Sequence, residues 1–213
     1  MNWTVIFKRN IAWNELEKLQ QDFVVQAQTV PSTGFLLLSE PHSTFTSGRN
    51  APAADLVWSE SVCLENQVGV ERVTRGGRWT YHGPGQILCY PIVSLQGLGL
   101  QKKQVRLFSD TFRSAALSAC LDLKIPAQAQ DEPFGIFVGN KKLASFGLSF
   151  SAGISSHGMA LYLTPQEDFF TGIHPCGVAQ QTFTCIHDFH PQVKWYDAAV
   201  LLANSIEKGF KSL

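Results

Sequence analysis

The 213-residue sequence has little charge and no excess of either sign. Charged residues make up 16% of it, against roughly 25% in an average soluble domain, and 17 basic residues balance 17 acidic ones. Disorder requires high charge and few apolar residues, so a disordered chain is excluded. The missing basic excess argues against nucleic acid as a partner.

Long hydrophobic runs are also missing. The apolar run at 34–39 is far shorter than the roughly 18 to 20 residues that a membrane span needs, so no membrane partner is expected. The N-terminal segment lacks the apolar stretch of a signal peptide, and Glu15, Glu17 and Asp22 argue against a transit peptide. The five cysteines are odd in number and irregularly spaced, which indicates reduced thiols in a cytoplasmic protein.

The apolar pattern predicts one α+β domain over residues 1–213, with a mixed or antiparallel sheet. Apolar residues three and four positions apart predict helices at 14–28, 101–121 and 197–208, with Asn14 and Asp197 as N-caps. Short β-rich runs predict strands at 3–7, 34–39, 68–74, 87–93, 135–138, 142–149 and 158–163.

The segment 75–86, between two predicted strands, contains four glycines. Glycine permits positive φ and close contact between backbone and ligand, so this loop could present N–H groups to a carbonyl or phosphate oxygen. It matches neither a P-loop nor a dinucleotide-binding fingerprint. A tight hairpin is the alternative, but a plain turn has no need for the side chains of Arg75, Thr80, Tyr81 and His82.

The segment 175–177 places Cys176 between a proline and a glycine, on a constrained turn. Structural cysteines more often have apolar neighbours, as Cys89 and Cys120 do. A reactive cysteine must be a thiolate, which requires a cationic or basic neighbour. The histidines and cysteines between 174 and 190 lack the Cys-x2-Cys pairs of structural zinc, so no metal site is predicted.

A hairpin turn is predicted at Gly139-Asn140, and a strand follows it. Strand alternation would place Lys142, Ala144 and Phe146 on the side opposite to Leu143, Ser145 and Gly147. On local sequence alone, adjacent lysines are more typical of a solvated turn. His157, just before a predicted strand, is likewise more typical of a hydrogen-bonded structural residue.

In combination, these segments resemble the lipoate-biosynthesis octanoyltransferases from about 36 to 177. The motifs stand in that family's order and spacing: Arg75-Gly76-Gly77, Thr80 to Gln86, Lys142 to Gly147, His157-Gly158 with Ala160-Leu161, and Pro175-Cys176-Gly177. Three features depart from the family pattern. The family's Glu-His-x-Pro reads Glu40-Pro41-His42-Ser43 here, so the histidine stands one position later. Tyr162 replaces an asparagine, and 131–135 carries one extra residue.

The resemblance implies the biotin/lipoate protein ligase fold, with a central mixed sheet flanked by helices. It implies an acyltransferase that moves an octanoyl group from octanoyl-acyl carrier protein to a lysine of a lipoyl domain. The acceptors would be lipoyl domains of 2-oxoacid dehydrogenase complexes and the glycine cleavage H protein. Cys176 would carry the octanoyl thioester, and Lys142 would stabilise its thiolate and later accept a proton. No cofactor and no metal are implied.

The resemblance also implies a substrate-binding set. Its members are Arg75, Gly76, Gly77, Arg78, Trp79, Thr80, Tyr81, His82, Ser145, Phe146, Gly147, His157, Gly158, Met159 and Ala160. Backbone N–H groups of Gly76, Gly77 and a turn at 145–147 are candidates for holding an oxyanion. Tyr81, Ala144, Phe146 and Met159 are expected to form the wall of an apolar slot for the acyl tail.

Three alternatives remain open on the sequence. An ATP-dependent lipoate- or biotin-protein ligase of the same fold would activate a free acid and would not need Cys176. A cysteine hydrolase would release free octanoate without an acceptor lysine. A non-enzymatic binding domain would be unaffected by alkylation of Cys176.

Overall fold

The computed structural model of the chain describes residues 1–174 and 182–213. The strands are β1 (Asn2–Ile11), β2 (Thr33–Pro41), β3 (Thr44–Ser47), β4 (Gly69–Arg72), β5 (Trp79–His82), β6 (Gln86–Val93), β7 (Gln128–Asp131), β8 (Phe134–Val138), β9 (Lys141–Ser151) and β10 (Ile154–Tyr162). The α-helices are α1 (Trp13–Thr29), α2 (Glu60–Glu65), α3 (Val105–Asp122) and α4 (Trp195–Phe210).

Two sheets organise the described residues. The larger has the strand order β1-β2-β6-β10-β9-β8-β7, and the smaller has the order β4-β3-β5. In the large sheet β1 and β2 are parallel, whereas the other neighbouring strands are antiparallel. This mixed sheet with flanking helices confirms the predicted α+β class.

An apolar core lies on each face of the large sheet. On one face α3 and α4 pack against the sheet, and on the other α1 and the small sheet do. Strand β2 contributes to both cores, with Leu36 and Leu38 in the first and Phe35 and Leu37 in the second. A strand buried on both faces is continuously apolar, which explains the run at 34–39.

The predicted helices are present, but their predicted starts are wrong. α1 begins after Ala12, and the Asn14 side chain accepts the N–H of Glu15 instead of capping the helix. α3 begins at Val105 because 101–104 form a turn. α4 begins at Trp195, so Asp197 lies in its first turn and is not the N-cap. In none of these three helices does the side chain of the N-cap residue bond to the first turn.

The seven predicted strands overlap observed strands, and three further strands were missed. β5 lies inside the segment that was interpreted as a loop. β3 and β7 are four residues long and largely polar, so they show little apolar alternation. No helix of the described residues is long and apolar enough to cross a membrane.

Candidate active site

A cavity of about 230 Å³ lies where β9 and β10 face the turn that leads into β5. Aromatic and apolar side chains form much of its wall, among them Trp79, Phe146, Met159 and Tyr162. An engineered cavity of ~150 Å³ is enough to admit benzene. This cavity can therefore enclose an apolar ligand of several carbon atoms.

Arg75 holds the turn 75–78 from the inside. Its Nη1 donates to the carbonyls of Gly76 and Arg78 at 3.0 and 2.8 Å, and its Nη2 donates to the carbonyl and Oγ1 of Thr46, both at 2.7 Å. Hydrogen bonds from a charged donor are stronger than neutral ones. The buried guanidinium thus fixes the shape of the cavity wall through its own turn.

Most of the backbone groups expected to hold an oxyanion are already used. The Gly76 N–H donates to the carbonyl of Leu148 at 3.1 Å. The stretch 145–147 is not a turn but part of β9, where its residues pair with 158–160 of β10. Gly77, at φ 84°, lines the cavity, and its N–H has no acceptor among the described residues.

Lys142 is buried in the cavity wall, with 3% of its surface exposed. The pairing of β8 with β9 shifts register there: Ile136 lies opposite Ala144, but Phe137 lies opposite Lys142. One extra residue, Leu143, therefore bulges from β9, and a bulge redirects the side chains beside it. The predicted alternation is wrong at this point, because Lys142 lines the cavity together with Ser145.

The chain on both sides of 175–181 is anchored beside the cavity. Before this segment, the His174 N–H donates to the Asp55 carbonyl at 2.7 Å. After it, the Lys142 N–H donates to the Thr182 carbonyl at 2.9 Å, and the Thr184 N–H donates to the Lys142 carbonyl at 3.0 Å. The predicted nucleophile Cys176 itself lies outside the described residues.

His82 lies in the cavity wall as a buried, neutral ring. Its Nδ1 is 3.3 Å from Oε1 of Gln86, and its ring stacks on Trp13 with centroids 5.4 Å apart. Burial, reinforced by the positive charge of Arg75, lowers the pKa of His82 to about 3. At neutral pH this imidazole serves as an uncharged hydrogen-bonding group.

His157 is a second buried histidine in the wall. Its φ of 54° is unusual for a residue with a side chain, and its Nε2 is 3.2 Å from Oγ1 of Thr74. Burial and then the charges of Arg75 and Arg49 lower the pKa of His157 to about 4. Its Nδ1 is buried without a hydrogen-bond partner among the described residues.

A pair of hydroxyl groups adds polarity to the cavity wall. Ser145 Oγ and Tyr162 Oη are 2.8 Å apart. The Tyr162 ring contacts Phe170 and Phe183, edge to face, at centroid distances of 5.9 and 5.5 Å. Tyr162 therefore links β9 to the described residues on either side of 175–181.

The cavity brings together most of the residues predicted for the site. Those in its wall are Lys142, Arg75, Gly76, Gly77, Arg78, Trp79, Thr80, His82, Ser145, Phe146, Gly147, His157, Gly158, Met159 and Ala160. Two expected wall residues lie elsewhere. Tyr81 is buried in the second core, where its hydroxyl donates to Gln166 at 2.9 Å, and Ala144 is buried in the first core.

The sequence reasoning missed several wall residues. Phe170 and Phe183 lie on either side of the Pro175 to Gly177 motif, and this closeness in sequence was the available signal that they belong to the wall. Tyr90 belongs to a predicted strand. Pro133 and Phe134 come from the segment with one extra residue. That departure from the family pattern therefore reaches the cavity, as Tyr162 does.

His42, the third departure, does not line the cavity. Its side chain is exposed, and its Nε2 is 3.1 Å from Oδ1 of Asn10. Glu40, two residues earlier, is buried, accepts the N–H of Gly85 and pairs with Arg9. The contacts of Glu40 hold the chain just before β6, and neither Glu40 nor His42 lines the cavity.

Residues 15–207 match the family model described as the lipoyl protein ligase A/B catalytic domain. The octanoyltransferase of Coxiella burnetii (strain RSA 493 / Nine Mile phase I) is 33% identical in an alignment of 167 positions that covers 71% of this chain and 68% of that protein. The octanoyltransferase of Legionella pneumophila (strain Paris) is 30% identical in an alignment of 177 positions that covers 75% of this chain and 86% of that protein.

Solved structures with the same fold include lipoate-protein ligase A bound with ATP, at a TM-score of 0.81 and 14% identity. That similarity covers 99% of this chain and 86% of the ligase. The bipartite lipoate protein ligase of Thermoplasma acidophilum has a TM-score of 0.78 at 14% identity, over 99% of this chain and 84% of that one. The chain therefore belongs to the lipoyl protein ligase A/B catalytic-domain family and, within it, to the octanoyltransferases.

Proposed function

We propose that the chain transfers an octanoyl group from octanoyl-acyl carrier protein to a lysine of a lipoyl domain, through a thioester on Cys176. The observation that carries the proposal is the buried Lys142, which the bulge in β9 turns into an apolar cavity. An amine at the cavity wall can stabilise a nearby thiolate and can exchange a proton with a reacting amine. Membership in the octanoyltransferase family indicates that the transferred group is octanoyl.

The first step exchanges one thioester for another. The Cys176 thiolate attacks the octanoyl carbonyl, the oxyanion collapses, and the carrier thiolate leaves and takes up the proton of the Lys142 ammonium. This step is close to isoenergetic and therefore reversible. Lys142 stabilises the attacking thiolate electrostatically, and the Gly77 N–H is the candidate donor to the oxyanion.

The second step forms the amide. The amine of the acceptor lysine attacks the octanoyl carbonyl, the bond to Cys176 breaks, and its thiolate leaves. The amine proton passes to Lys142 acting as general base. Amide formation is downhill and draws the reversible first step forward.

The cavity wall provides the site for the acyl tail. Burying about seven carbons at ~0.8 kcal/mol each gives at most about 6 kcal/mol. One methylene discriminates by only ~1 to 3 kcal/mol, so chain length is set by a steric stop. Phe146 and Met159 line the cavity and remain the proposed wall residues of the acyl slot.

We also propose that residues 1–213 act as one catalytic domain and that the acceptors are lipoyl domains of 2-oxoacid dehydrogenase complexes and the glycine cleavage H protein. The carrier and the acceptor would use the same cavity in turn. Neither step consumes a nucleotide, which separates this function from that of a ligase.

A transfer assay tests the proposal. The protein is mixed with octanoyl-acyl carrier protein and a lipoyl domain without ATP, and the mass of the lipoyl domain is followed. We expect the acceptor to gain one octanoyl group, Cys176→Ser to abolish the gain, and Cys185→Ser to retain it. Cys185 is a matched control because its Sγ–H donates to Asp188, as a serine hydroxyl would.

Two further measurements separate the alternatives. Pyrophosphate exchange with ATP and free octanoate, in place of transfer from the carrier, would contradict the proposal and indicate a ligase. Free octanoate released without modified acceptor would indicate a hydrolase.

A further inference from the structure

One face of α1 contacts both cavity histidines. Trp13 and Gln20 are seven positions apart, which is about two helical turns, so they share this face. Both are buried, with 7% and 5% of their surface exposed. Trp13 stacks on His82 with an interplanar angle of 8°, and Gln20 Oε1 accepts the backbone N–H of His157 at 2.6 Å.

The bond from His157 to Gln20 replaces a missing strand contact. The pairing of β10 with β6 extends only from Tyr162 to Met159, so at His157 this edge of β10 has no partner in β6. His157 also adopts a left-handed backbone conformation, which persists in a non-glycine residue only where its surroundings hold it. The buried amide of Gln20 satisfies the N–H and holds this conformation.

The connection continues from His157 to the turn 75–78. The His157 Nε2 is 3.2 Å from Oγ1 of Thr74, and Thr74 directly precedes Arg75. The charged groups that act on the His157 ring are Arg75 and Arg49. A change at Gln20 therefore reaches the wall of the cavity, although no residue of α1 lines it.

We propose that Gln20 and Trp13 are positioning residues of the acyl-transfer site, through which α1 fixes His157 and His82 in the cavity wall. This inference rests on the proposed transferase function. Neither residue belongs to the motifs that carry the family resemblance. Their role is to hold two other side chains and not to contact the substrate.

The substitution Gln20→Met tests this role, because it removes the acceptor at similar side-chain length. We expect the rate of octanoyl-enzyme formation to fall about tenfold or more, since a displacement of ~1 Å can cost about a hundredfold. The His157 ring, followed by NMR of labelled histidine, should titrate at a higher pH than in the wild type. Gln20→Glu keeps an oxygen acceptor in either protonation state and should retain the wild-type rate.

Ser155→Ala is the matched control, since it removes buried hydrogen bonds from the same strand away from the cavity. Ser155 Oγ donates to the Pro91 carbonyl at 2.6 Å and accepts the Val93 N–H at 3.1 Å. This variant should lower Tm and leave the rate and the His157 titration unchanged. A loss of rate equal to that of Gln20→Met would mean that general destabilisation is responsible, which overturns the proposal.

A folded Gln20→Met protein with the wild-type rate and titration would also overturn it. If Gln20→Met does not fold, Trp13→Leu takes its place, with a slower reaction and a shifted His82 titration expected and wild-type values contradicting the role. If the wild type forms no octanoyl-enzyme, the proposed function fails. The ring titrations then still show whether α1 positions the two histidines.

Discussion

Lys142 shows how one extra residue decides what a side chain can do. Strand alternation alone would put Lys142 and Ser145 on different faces of β9. With the bulge at Leu143, both side chains lie in the cavity wall. The resemblance implied a catalytic role for Lys142, which stays a prediction, and the lysine lies in the cavity wall. The bulge could not be read from the sequence because it depends on the register between β9 and β8.

Replacing Lys142 tests its role against that of its neighbour. We expect Lys142→Met to slow octanoyl transfer by about a hundredfold or more, because the reaction loses its proposed general base and thiolate partner. Lys141→Met should retain the wild-type rate, since Lys141 is exposed and does not line the cavity. Transfer rates at saturating carrier measure both, and equal rates for the two variants would contradict the assignment.

The two buried histidines predict a pH dependence of stability. Their pKa values are about 4 for His157 and about 3 for His82, below the ordinary value near 6.5. Between the lowered pKa values and about 6.5, the unfolded chain binds more protons than the folded one. The free energy of unfolding should therefore fall as pH decreases from about 6.5. Above that pH both rings are neutral in the folded and in the unfolded chain, so they add no pH dependence to the free energy of unfolding.

Urea unfolding at pH 7, 6 and 5 measures this fall. The substitution His157→Gln should reduce the slope, whereas His42→Gln should keep it because His42 is exposed. A stability that is constant or rises towards pH 5 would show that the cavity histidines are not buried as neutral rings.

At the scale of elements, β10 lies unusually close to β6 at one glycine. A Cβ on Gly158 would overlap the carbonyl oxygen of Cys89 and lie 2.9 Å from Cδ of Pro91. Gly158 is therefore required for these strands to come together beside the cavity. The motif predicted this glycine as a binding residue, whereas its contacts give it a clear packing role.

Gly158→Ala is accordingly expected to destabilise the fold by about 1 to 3 kcal/mol, the usual cost of overpacking. Gly69→Ala is the control, because a Cβ there meets Thr44 only at ordinary contact distances of 3.5 Å and more. Thermal unfolding of the two variants measures the difference. A similar Tm for both would contradict the close packing of β10 on β6.

The sequence predicted those elements whose apolar residues repeat clearly. The buried strands β2 and β6 and the long helices fall into this class, since burial on one or both faces leaves a visible pattern. The short strands β3 and β5 do not, because their pairing in the small sheet gives them their structure. The starts of α1, α3 and α4 were also missed, since none of these helices has a side-chain cap that the sequence could reveal.

At the scale of the whole molecule, the candidate site is assembled from distant parts of the chain. The turn 75–78, the bulge at Lys142 and the strand at His157 meet around one cavity, with α1 behind the histidines. The motifs could name these segments from their resemblance to a family. Distances, the use of the Gly76 N–H and the involvement of Gln20 depend on long-range contacts and emerge only in the folded protein.

The most direct test of the proposed function is the intact mass of the protein after brief mixing with octanoyl-acyl carrier protein alone. The proposed mechanism predicts one added octanoyl group, located on Cys176 by peptide mapping. The isolated acyl-protein should then pass that group to a lipoyl domain at least as fast as the complete reaction proceeds. An unmodified enzyme that still octanoylates the acceptor, or an acyl group that cannot be transferred, would contradict the thioester mechanism.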